Sequence, residues 1–193
     1  LYPVIMYMRL LHYISVGDAY TLSQDIKNAS RYGLSNVDSH LQKNSEWGAV
    51  AYLAYSKYGM NGAEVTKNDI DNSGKAIGIY AITSPETVAN TSTTQNVTGV
   101  YDMSGCVSEI TATFLKGASE TNYIAGMIDN PSTVASSKYI TIYEGTWDTC
   151  NKIGDAVKET SINGSYSNSW NGDSRRFVTS SDPVFARGGN FNS

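Results

Sequence analysis

Apolar residues in this chain fall into a few short runs, set apart by long stretches of Ser, Thr, Asn and Gly. The densest run is Val4 to Ile14. Its β-branched and aromatic members favour a buried strand, or two short ones, over a helix. Gly17-Asp18 then marks a turn. Thr21 or Ser23 caps a predicted helix over residues 24–32, and Gly33 stops it. Leu22, Ile26 and Ala29 lie at helical spacing and form its predicted inward face.

Residues 38–44 are a polar approach to a second helix. Asn44 or Ser45 caps it, it runs from Glu46 to Lys57, and Gly59 ends it. Trp47, Val50, Ala51 and Ala54 share one face. Trp47 reads as a core anchor, with a ligand platform as the alternative. Gly48 and Ala49 are small enough for a neighbour to approach closely. Residues 82–98 are rich in Thr, Ser and Asn and read as a long surface loop.

The segment Gly99-Val100-Tyr101-Asp102-Met103-Ser104-Gly105-Cys106-Val107-Ser108-Glu109-Ile110 carries apolar and aromatic residues into a Ser-Gly turn and on into an alternating stretch. As a strand it would point Val107, Glu109 and Thr111 one way, and Cys106, Ser108, Ile110 and Ala112 the other. Residues 113–116 continue it. Residues 117–137 are loop-like. Tyr139-Ile140-Thr141-Ile142-Tyr143 alternates cleanly and predicts another strand. Residues 163–174 are loop formers with Tyr166 and Trp170 embedded, suited to a binding loop or to a loop folded onto its own core.

Composition narrows the function classes. A length of 193 residues predicts one domain with a sizeable core. The net charge is −4 and no basic stripe occurs, which argues against nucleic acid as a partner. Fourteen Tyr stand against four Phe, and only 17% of residues are charged. Tyr, Ser, Asn and Gly are what adaptable recognition surfaces use, because Tyr gives large contact area at low entropy cost. The apolar N-terminal run is interrupted by Arg9 and His12 and is too short to span a bilayer.

Candidate metal and redox chemistry is sparse. Asp69-x-Asp71-x-Ser73-Gly74 matches the first half of a calcium loop, but Tyr80 stands where such a loop needs a bidentate Glu. The segment reads as a solvated Asn/Asp turn. Cys106 and Cys150 would form one disulfide in a secreted chain and stay free thiols in a reducing compartment. His12 and His40 lack metal-ligand spacing and read as structural. Asn28, Asn90, Asn96 and Asn163 each open an N-x-[ST] triplet.

Three segments carry a family resemblance. Gly99 to Ile110 resembles the G-[LV]-Y-D-M-x-G-N-V-W-E-W segment of the formylglycine-generating-enzyme (sulfatase-modifying-factor) branch of C-type-lectin-like domains. Asn44-Ser45-Glu46-Trp47-Gly48-Ala49-Val50-Ala51-Tyr52 resembles that family's L-P-T-E-A-E-W-E-Y-A-A. Phe185-Ala186-Arg187-Gly188-Gly189-Asn190-Phe191 resembles its R-G-G-[SN]-[WFY]. The three stand in the family's order. They imply an α+β, C-type-lectin-like fold with two main helices, a small twisted mostly antiparallel sheet and long loops. They also imply that Arg187 lies near Glu109, as a fold-holding ion pair or a ligand contact.

The resemblance divides on activity. The enzymes oxidise a substrate Cys with a copper-binding Cys pair placed after the Arg-Gly-Gly motif. This sequence has four residues after Gly189 and no such pair among them. Other relatives use the scaffold for recognition. Ser39 to Leu53 is similar to surface-protein members from Gram-positive gut bacteria. Phe185 to Ser193 resembles the approach to the ligand-binding region of retroelement-diversified lectin-like proteins, which implies a domain continuing past Ser193. Some relatives bind calcium through G-N-V-W-E, here Gly105 to Glu109, with Cys106 in place of Asn and Glu109 kept as the metal candidate.

The expectation is therefore a non-catalytic, extracellular ligand- or receptor-binding domain on a bacterial surface or a virion. Its partner would be a cell-surface protein or glycan, and it could act as a homo-oligomer. Ligand contacts are expected from Arg187, Asn190, Phe191, Asn192, Tyr166 and Trp170, with no cofactor beyond a structural calcium at Glu109. The alternatives are a fragment of a formylglycine-generating-type oxidase and a filament or phage-tail subunit packed through Val4 to Ile14.

Overall fold

A computed structural model describes residues 14–28, 36–63, 100, 103–104, 109–118, 128, 135–145 and 178–188. They form two helices and four short strands, an α+β arrangement. Of the apolar N-terminal run only Ile14 lies within the described residues. The Asp69–Gly74 turn, the loop at residues 82–98 and the loop at residues 163–174 lie outside them.

Helix α1 spans Val16–Asp25, and a short 3₁₀ turn, Ile26–Asn28, extends it. It starts well before the predicted position. Ser15 is the N-cap: its backbone is extended and its Oγ accepts from Asp18 N at 3.0 Å. Gly17-Asp18 is thus the first helical turn instead of a loop, and Asp18 sits where a negative charge favours the helix dipole. Ser23 does not cap. Its hydroxyl donates back to Tyr20 O at 2.8 Å. The buried face follows the earlier start, with Val16 and Gly17 inward and Leu22 turned outward.

Helix α2 spans Asn44–Tyr55, with Lys43 at the N-cap. Lys43 N donates to Glu46 Oε2 at 2.8 Å, the reciprocal half of a capping box. Trp47, Ala51 and Ala54 are buried as the periodicity predicts and pack with Met103, while Val50 borders them. Gly48 is buried but Ala49 is exposed, so only Gly48 lies on the close-packed side. The chain leaves the helix through Gly59. A Cβ there would overlap Ala54 O and lie 2.7 Å from Leu53 O, so only glycine lets the backbone fold against the helix end. The opposite face of the helix and the turn after it carry Tyr52, Tyr55 and Tyr58 outward.

Strands β1 (Glu109–Ile110), β2 (Thr113–Leu115), β3 (Thr141–Tyr143) and β4 (Ala186–Arg187) complete the described architecture. β1 pairs antiparallel with β4, and β2 pairs parallel with β3, with Phe114 opposite Ile142. Among the described residues there are thus two small sheets of opposite sense, not one mostly antiparallel sheet. The change of partner falls at Thr111-Ala112, where Thr113 N bonds Thr111 O at 2.8 Å and Ala112 N bonds Gln42 O at 2.8 Å. Contact with the C-terminal segment persists through Thr111 N to Phe185 O and Leu115 N to Pro183 O, both 3.0 Å. Residues 109–115 therefore run between residues 183–187 and β3.

Phe114 and Ile142 enter an apolar cluster while Thr113 and Tyr143 meet Asn44, so both faces of β2 and β3 are covered and the predicted alternation is lost. A strand covered on both faces has no solvent side, so Thr111 to Phe114 and Thr141 to Tyr143 are buried without interruption. Phe114, Ile140, Ile142, Val184 and Val16 make one apolar cluster. Tyr143, Val178 and Phe185 make another, with the Tyr143 and Phe185 ring centroids 6.0 Å apart. Full burial of each large side chain is worth about 1.5–3 kcal/mol.

Burying threonines between strands requires partners for their hydroxyls. Asn44 N donates to Thr113 Oγ1 at 3.3 Å. Thr111 Oγ1 lies 2.9 Å from Thr113 Oγ1 and 3.2 Å from Phe185 O. Thr113 Oγ1 thus accepts from both Asn44 N–H and the Thr111 hydroxyl, whose single proton is shared between Thr113 Oγ1 and Phe185 O. Asn44 Nδ2 also donates to Tyr143 OH at 2.8 Å. Asn44, expected as a cap, instead bolts the start of α2 to β2 and β3.

Tyr143→Phe keeps the ring and removes this acceptor from a buried amide. It should lower stability by about 1–2 kcal/mol, read as an earlier urea midpoint at unchanged m. An unchanged midpoint would show that the Asn44 bond contributes nothing.

Candidate functional site

The three resemblance-bearing segments meet around one side chain. Arg187, on β4, is fully buried. Its guanidinium carbon lies 4.0 Å from the Trp47 ring centroid and 4.9 Å from that of Phe185. A planar guanidinium between aromatic faces gains cation–π attraction, about 2 kcal/mol or more once water is excluded. Aromatic faces alone do not compensate a buried charge, so the carboxylate on the neighbouring strand matters. Glu109 on β1 stands directly opposite Arg187 in the antiparallel register.

Gly188 explains how closely these parts approach. Its φ is +80°, a conformation that favours glycine. A Cβ built there would overlap Glu109 Oε2 and sit 3.0 Å from Met103 O. The Glu109 carboxylate and the Met103 backbone thus occupy the space a side chain would need. Met103 also packs with Trp47. Helix α2, Met103, β1 and the Arg-Gly segment are therefore one packed unit.

Of the predicted ligand contacts, Arg187 is enclosed in this unit and presents no surface to solvent. Glu109 is partly buried beside it. Asn190, Phe191, Asn192, Tyr166 and Trp170 lie outside the described residues, as do Gly105 to Ser108 and both cysteines. Among the described residues no three His, Cys, Asp or Glu side chains form a group suited to a metal ion, and no helix is long and apolar enough to cross a membrane.

A second polar cluster surrounds the start of α2. His40 Nε2 lies 3.0 Å from Glu46 Oε1, so Glu46 serves His40 with one oxygen and the helix cap with the other. The His40 ring meets Tyr139 at 5.6 Å between centroids. Tyr139 OH donates to Asp38 Oδ1 at 3.0 Å, and Lys138 Nζ reaches Asp38 Oδ2 at 2.6 Å. Burial pushes the Glu46 carboxyl up, but the Lys43 N–H and His40 outweigh it and hold the group below the ordinary glutamate range. Lys138 first, then the Tyr139 hydroxyl, hold Asp38 low as well. These contacts tie residues 38–46 to the approach to β3. The sequence places Glu46 at the start of the helix but gives no sign of its capping contact or of its link to His40.

No family model matches the chain, and neither a curated protein nor a solved structure matches it.

Gly188→Ala should cost about 2–3 kcal/mol, combining a disfavoured φ with displacement of Glu109. Gly62→Ala is the control, since Gly62 has a similar φ of +83° and open space around it. It should cost only about 1–2 kcal/mol. Equal losses in urea titrations would show that Glu109 does not pack on Gly188.

Glu46→Gln retains an amide able to cap while removing the charge. A depressed carboxylate stabilises the fold above its unfolded pKa, and that contribution vanishes as pH falls through the folded value. The gap in urea midpoint between the native chain and Glu46→Gln should be full at neutral pH and close below the ordinary glutamate range. A gap that stays constant into acid would contradict this assignment.

Proposed function

We propose that the chain is a non-catalytic recognition domain built on a C-type-lectin-like scaffold of the formylglycine-generating-enzyme type. It works outside the cell, on a bacterial surface or a virion, and binds a protein or glycan on a cell surface. The observation that carries this reading is the meeting of Trp47, Met103, Glu109, Arg187 and Gly188 in one packed unit. Those residues come from the three segments on which the resemblance rests, which are far apart in sequence.

In this reading Arg187 supports the binding surface from below. Its burial fixes the backbone on which the following residues are displayed. Asn190, Phe191 and Asn192 come next in the chain, and Tyr166 and Trp170 supply further contacts. A fixed backbone presenting Asn, Tyr and Trp gains affinity without the entropy cost of ordering a loop. The excess of Tyr over Phe and the low charge suit such a surface better than they suit a catalytic centre. Glu109 holds Arg187, and a structural calcium at its segment is a secondary element of the reading.

The test is binding of the natural full-length protein to printed glycan and cell-surface protein arrays, with calcium and with chelator. The reading expects saturable binding to members of one class. Absence of binding to both, together with conversion of a cysteine peptide to formylglycine by the same preparation, would replace it with the oxidase. Binding lost in chelator would assign a metal to the Glu109 segment.

A further inference from the structure

We draw no further inference here: the strongest candidate, the outward aromatic ridge of α2 and its following turn formed by Tyr52, Tyr55 and Tyr58, carries none because nothing in the described residues shows what covers it.

Discussion

A guanidinium withdrawn from water is the costliest group among the described residues, and the surrounding packing is arranged to accept it. Desolvating such an ion costs several kcal/mol even after the protein relaxes. Arg187 stacks on the Trp47 and Phe185 ring faces, and Glu109 stands opposite it on the paired strand. Each partner comes from a different element, so satisfying one side chain draws together α2, β1 and β4. Gly188 makes the arrangement sterically feasible by leaving room for Glu109. Lysine in place of Arg187 would lack the flat face that both rings contact.

A second constraint acts beside it. Residues 109–115 change partners midway, from β4 to β3, and backbone and hydroxyl groups freed by the change must be satisfied without water. Gln42, Asn44 and the threonines at 111 and 113 do this. The start of α2 therefore serves two purposes: it supplies polar partners to the strands and aims Trp47 at Arg187. Glu46 completes it by capping the helix and holding His40. Loss of order at residues 42–47 would disturb both the strand network and the arginine site.

Helix α2 was readable from the sequence because its signals agree. Apolar residues recur at helical spacing, Glu46 suits the first turn and Gly59 ends the run. Helix α1 starts earlier than its pattern predicts because its cap, Ser15, directly follows the apolar run ending at Ile14 and Gly17-Asp18 has the composition of a turn. The alternation at residues 139–143 gave the right element but the wrong exposure, since a parallel strand inside the structure has no solvent face. The proximity of Arg187 and Glu109 came from the family resemblance and matches their register. Neither periodicity nor composition can reveal the roles of Asn44 and Thr113, because their partners are remote in sequence and depend on the three-dimensional arrangement. Most of the predicted ligand contacts fall outside the described residues, and the one within them, Arg187, is buried.

A double-mutant cycle between Trp47 and Arg187 probes the convergence most directly. Stability would be measured by urea titration for Trp47→Leu, Arg187→Met and the pair together. Direct contact in a water-free site predicts a coupling of about 1–2 kcal/mol, with the double variant losing less than the sum of the single losses. Losses that add to within about 0.3–0.5 kcal/mol would mean that the two side chains do not touch, and the packed unit linking α2 to β4 would not exist.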